Sequence, residues 1–160
     1  MDLYEELVGL IDSLGKAGLD YALCGGIAVA FYGYSRFTKD IDILIRPEDL
    51  DQILKTVKDR GFFIKGELMP FDWGKPYQRE IYRISKVEDQ ELLTLDLILV
   101  NKTLQDVWDQ REAFEWKNRQ VQVVSPKGLI KMKRLAGRDQ DLLDLKKLGF
   151  IDAKSEGSED

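Results

Sequence analysis

Residues 21–45 read YALCGGIAVAFYGYSRFTKDIDILI. Tyr21-Ala22-Leu23-Cys24 is a short apolar run that stops at Gly25-Gly26, and Ile27 to Tyr32 follows as small and apolar residues without a breaker. That order predicts a strand turning at once into a helix. Asp40 to Ile45 predicts a second strand, halted by Arg46-Pro47. Side chains at i and i+2 share one face of a strand, so Asp40 and Asp42 point one way while Ile41, Ile43 and Ile45 enter the opposite layer. Aspartate is a poor strand residue, and two like charges about 6.6 Å apart repel. The pair is therefore either a solvated sheet face near a loop or is placed there for chemistry.

Outward from this stretch, helices and strands alternate. Leu3, Leu7, Leu10, Ile11 and Leu14 recur at helical spacing and predict a helix from Leu3 to Lys16. Pro47 suits a first helical turn, Leu50, Ile53, Leu54 and Val57 supply its buried stripe, and Gly61 ends it. Gln78 to Ser85 and Leu92 to Val100 predict two more strands, and Glu112 to Val124 a hairpin around Asn118. Gly66 to Tyr77, with Phe71, Asp72, Trp73 and Tyr77, reads either as a packed aromatic hairpin tip or as a substrate-contacting loop between strands. Ser125-Pro126 opens a helical C-terminal part with one face of Leu129, Ile130, Met132 and Leu135, and a second of Leu142, Leu143, Leu145 and Leu148 beyond Gly137. The class is mixed α/β (α+β): a mixed β-sheet covered by helices, with a helical C-terminal part. A single domain is expected over residues 1–151, with residues 152–160 as an acidic, disordered tail.

Composition excludes much. The chain has 160 residues, 44% of them apolar and 33% charged, enough for one hydrophobic core. No apolar run approaches the roughly 20 residues that cross a bilayer. Met1 is followed by Asp2, Glu5 and Glu6 rather than by a basic and then apolar leader, so a cytoplasmic location is expected. Histidine is absent, which removes imidazole bases, Ser-His and Cys-His nucleophiles, and His-ligated metals. The one cysteine, Cys24, forms neither an intrachain disulfide nor a thiolate cluster. Any bound metal must then take oxygen ligands, which favours magnesium, manganese or calcium. The formal charge is −5, of which residues 152–160 carry −3. A body near −2 lacks the general positive field of a nucleic-acid binder.

Asp96 carries the most information. It interrupts Leu92-Leu93-Thr94-Leu95-Asp96-Leu97-Ile98-Leu99-Val100, where every neighbour argues for burial. An unpaired carboxylate there costs several kcal/mol or takes up a proton. Either a basic residue of the preceding strand, Arg79 or Arg83, pairs with it, or Asp96 faces Asp40 and Asp42 and the three converge on a divalent cation. An arginine lodged permanently among them leaves only an ordinary sheet with awkward charges. Gly25-Gly26, at a strand-to-helix junction, either serves a tight turn or lets a phosphate approach free backbone amides. Arg36, Thr38 and Lys39 stand just ahead of Asp40, where a cation can neutralise phosphate charge.

Cys24-Gly25-Gly26-Ile27-Ala28-Val29-Ala30, then Gly33, Arg36, Thr38, Asp40 and Asp42, resembles the signature of the DNA polymerase beta-type nucleotidyltransferase superfamily. The segment Ser125 to Lys133, with Ala136-Gly137-Arg138, Asp141 and Asp144, is similar to small prokaryotic members, among them aminoglycoside nucleotidyltransferases and the toxin halves of abortive-infection toxin–antitoxin pairs. The resemblance spans Tyr21 to Leu148. It implies a nucleotidyltransferase-like fold and metal-dependent transfer of a nucleoside monophosphate from a nucleoside triphosphate to an acceptor hydroxyl, releasing pyrophosphate. It further implies two magnesium or manganese ions about 3.5–4 Å apart, with Asp40, Asp42 and Asp96 as metal-binding and catalytic residues. Asp96 would take the hydroxyl proton, and Gly25, Gly26, Arg36, Thr38 and Lys133 would bind the nucleotide. Lys133 reads equally as a surface helix lysine beside Lys131 and Arg134, and Arg138, Asp141 and Asp144 as an intrahelical ion-pair ladder. The acceptor stays open among a small molecule, an RNA end and a protein, as does an antitoxin or other partner subunit. Many active members carry serine where this chain has Gly26, which leaves room for a catalytically weak or inactive nucleotide-binding module.

Overall fold

The computed structural model describes residues 1–33, 39–71 and 79–136, together with positions 143, 146 and 149. The expected tail 152–160, the second C-terminal stripe apart from Leu143, and the ladder Arg138, Asp141 and Asp144 lie outside the described residues, as do Arg36, Thr38, Asp72, Trp73 and Tyr77.

Helix α1 spans Leu3–Lys16, and the Asp2 carboxylate caps it by accepting from the Tyr4 amide at 2.9 Å. Leu7, Leu10, Ile11 and Leu14 are its buried face, as their spacing predicts. Strand β1 (Ala22–Cys24) passes without a loop into α2 (Gly25–Phe31), two residues earlier than the apolar pattern alone suggests. Strand β2 is Asp40–Ile45; a 3₁₀ turn at Pro47–Asp49 leads into α3 (Leu50–Lys58).

Next comes a strand absent from the sequence reading, β3 (Ile64–Phe71). Gly66 and Pro70 argue against a strand, yet both are tolerated at the border of a sheet, and β3 is an edge strand. β4 (Arg79–Glu88) and β5 (Glu91–Leu99) form a hairpin around Asp89 and Gln90, both with positive φ, the geometry a two-residue turn favours. A short helix, α4 (Gln105–Asp109), precedes β6 (Glu112–Trp116) and β7 (Arg119–Val123), which turn at Lys117-Asn118. Helix α5 is Pro126–Ala136.

The seven strands form one sheet in the order β3-β4-β5-β2-β1-β7-β6. β2 runs parallel to β5, and β1 is antiparallel to β2 and parallel to β7. Ile41, Ile43 and Ile45 stand opposite Leu95, Leu97 and Leu99, and all six are buried. The Glu6–Lys86 ion pair, at 2.9 Å, ties α1 to the same side of the sheet, where Lys86 shares the face of Ile84. Ile43→Ala is expected to lower stability by about 2–5 kcal/mol, because a fully buried side chain leaves a cavity that a central strand cannot close. Urea unfolding monitored by tryptophan fluorescence reads this directly. Among the described residues no helix is long and apolar enough to cross a membrane.

Candidate active site

The opposite face of the central strands is polar where it should be apolar. Register partners on adjacent strands share a face, about 4.8 Å apart. One row runs Cys24–Asp42–Asp96–Arg83 across β1, β2, β5 and β4. The row beside it holds Asp40, Thr94 and Ser85, and the row on the other side holds Ala22, Leu44, Ile98 and Ile81. Asp40, Asp42 and Asp96 therefore do share one face, with Asp40 exposed, Asp42 half-buried and Asp96 buried.

Gly25 lies against this row for two reasons. Its φ of +64° is a left-handed conformation that side chains resist. A Cβ built on it would also stand 2.1 Å from Asp42 Oδ2 and 2.9 Å from Asp42 Cγ. The strand-to-helix turn is thus the surface on which the Asp42 carboxylate rests. Gly26 is buried within α2.

Asp96 does not stand bare. Arg83 grips it with both prongs: Nε donates to Oδ1 at 2.8 Å and Nη2 donates to Oδ2 at 3.1 Å. An arginine on Asp96 is one of the two arrangements that the sequence allows. In the structure the pairing is what is found: Arg83 holds Asp96, on the face that Asp40 and Asp42 share. The bonds to Asp96 hold the Arg83 guanidinium above its usual range, and the charges of Asp40 and Asp42 add to this.

At the other end of the row, burial pushes the Cys24 thiol well up, and the charges of Asp42 and Asp96 push it further, so Cys24 is an inert packing residue. Lys133 works against that rise, which places its charge near the same row. The side chain is buried at 4% exposure, unlike its neighbours; Arg134 is exposed, and Lys131 is spent on Asp106 at 2.8 Å. Helix periodicity alone cannot separate these three basic residues. Lys39 is exposed just before β2. A groove of about 580 Å³ opens beside Asp40, lined by Leu3, Lys39, Leu92 and Thr94 among others.

The donor set fits a hard cation in residue type, since it offers carboxylates alone, and Asp42 and Asp96 are direct register neighbours. Among the described residues no three such ligands yet close on one point, and Asp96 is occupied by Arg83. Sequence order alone does not tell Arg83 from Arg79 as the partner of Asp96. That Arg83 faces Asp96 follows once the turn at Asp89-Gln90 is located, because an antiparallel hairpin counts its pairs outward from the turn.

A seven-stranded mixed sheet with an Asp-x-Asp strand beside a Gly-Gly helix turn is a nucleotidyltransferase-like fold. The family model described as uncharacterised nucleotidyltransferase matches residues 1–131, and the chain belongs to that family. A sequence search finds no match among curated proteins. Solved structures share the fold. The lincosamide antibiotic adenylyltransferase LnuA, bound to lincomycin, superposes with a TM-score of 0.62 at 18% identity, covering 91% of this chain and 95% of its own. ANT(2")-Ia in complex with adenylyl-2"-tobramycin gives 0.61 at 16% identity, covering 96% and 90%. A Thermotoga maritima protein described as a nucleotidyltransferase gives 0.64 at 16% identity, covering 90% of each chain.

Proposed function

We propose that this nucleotidyltransferase moves a nucleoside monophosphate from a nucleoside triphosphate to an acceptor hydroxyl in a metal-dependent reaction, with Asp40, Asp42 and Asp96 as the metal-holding residues. The observation that carries the reading is the register of β2 against β5, which sets Asp42 beside Asp96 with Asp40 on the same face. In the reaction the acceptor oxygen bonds to the α-phosphorus, the bond from that phosphorus to the bridging oxygen breaks, and pyrophosphate departs. Asp40, Asp42 and Asp96 would hold divalent cations, which when bound would supply Lewis-acid activation of the hydroxyl and offset charge on the phosphates.

The chain's own residues do the rest. Asp96 accepts the hydroxyl proton. Lys133, buried beside the row, offers positive charge to the triphosphate, and Gly25 and Gly26 keep their proposed place at the nucleotide, at the start of α2. Arg36 and Thr38 keep their proposed place at the nucleotide, just before Lys39. Both oxygens of Asp96 accept a hydrogen bond from Arg83, so a ligand or proton reaching Asp96 competes with that guanidinium. The groove beside Asp40 is the natural seat for an acceptor. The names of LnuA and ANT(2")-Ia point to hydroxyl-bearing small molecules as the first acceptors to try.

Titration calorimetry with magnesium and each nucleoside triphosphate is expected to show binding to the wild type and none to Asp42→Ala. Equal binding by the two proteins overturns the proposal. One observation favours a second reading: the Arg83–Asp96 pair suits a protein that binds nucleotide and does not turn it over. Release of pyrophosphate in the presence of a pool of acceptors excludes that reading.

A further inference from the structure

The pair formed by Arg83 and Asp96 is asymmetric. The Asp96 side chain is 10% exposed and fixed within a central strand, whereas the Arg83 side chain is 48% exposed and reaches in from the solvent side of β4. Its guanidinium can leave through a side-chain rotation, with no break in the β4–β5 hairpin.

We infer that Arg83 is a displaceable occupant of the cation site: it neutralises Asp96 while the site holds no divalent ion and is expelled when one binds. The inference rests on the proposed reading of Asp40, Asp42 and Asp96 as metal-holding residues. It makes Arg83 a competitor that sets the metal affinity. A half-exposed arginine costs little to release into water, while a divalent ion offers the buried carboxylate two charges in place of one. The buried Asp96 is then never left bare, because one cation replaces another.

The test uses Mn²⁺ alone, without nucleotide, so that affinity is read apart from activity. Electron paramagnetic resonance counts free Mn²⁺ against the wild type, Arg83→Gln and Arg83→Lys. Removing the competing charge is expected to tighten Mn²⁺ binding about tenfold, the scale of one charge-assisted hydrogen bond. Arg83→Lys, which keeps the charge and loses the fork, is expected to fall between the two. In the wild type, the Arg83 Nε–H resonance is expected to move during Mg²⁺ titration with the midpoint of metal binding, a readout that survives if either variant fails to fold.

Metal binding by the wild type with an unmoved Arg83 resonance, or binding no tighter in Arg83→Gln, overturns the inference and leaves the transfer reading standing. Absence of metal binding in wild type and variants alike, with nucleotide present as well as without it, overturns both.

Discussion

Asp42→Asn is expected to fold normally and to lose nucleotide transfer by about a hundred- to a thousandfold, the scale of removing one preorganised charge from a reaction centre. Asp42 is the middle of the row: its neighbours across the sheet are Cys24 and Asp96, and Lys133 lies toward the Cys24 end. Asparagine keeps the shape and the rest position over Gly25 and deletes only the negative charge. Stability should change little, because Asp42 is half-buried among like charges whose repulsion the change relieves. The measurement is pyrophosphate release from a nucleoside triphosphate with a pool of acceptors, alongside far-ultraviolet circular dichroism. A loss of less than tenfold in a folded protein argues that the carboxylate is a bystander.

Gly25→Ala is expected to damage stability and activity together, and for separable reasons. The left-handed backbone costs about 1–2 kcal/mol once a Cβ is present. The new methyl group also occupies the space of the Asp42 carboxylate, at 2.1 Å from Oδ2, so that carboxylate must turn away. Gly18→Ala is the control, since Gly18 has nearly the same φ, +67°, and nothing within 4 Å of a Cβ. Thermal melts should show a drop in both variants, larger in Gly25→Ala, while only Gly25→Ala loses transfer activity. Equal activity in the two proteins shows that Asp42 tolerates displacement.

Much of the fold is legible from short-range pattern. The α1 stripe, the alternation in β2 and the turn at Asn118 are each set by residues within a few positions of one another. Their physical causes are helix periodicity, strand pleat and turn geometry. β3 is not legible from pattern because Gly66 and Pro70 contradict a strand, and its place at the sheet edge excuses them. The 4% exposure of Lys133 was equally hidden, since Lys131 and Arg134 occupy the same helix and nothing in their order tells which one turns inward.

The site divides along the same line. Asp40 and Asp42 share a face through strand geometry alone, and the pairing of Arg83 with Asp96 follows from a two-residue turn between adjacent strands. Nothing local relates Asp42 to Asp96, because β2 and β5 run parallel and parallel neighbours have no turn to set their register. That alignment comes from fitting Ile41, Ile43 and Ile45 against Leu95, Leu97 and Leu99, and a slip of one residue would turn every one of these side chains to the wrong layer. The order of residues thus determines which carboxylates exist and which way each strand presents them, while burial of the apolar face opposite brings Asp42 and Asp96 side by side.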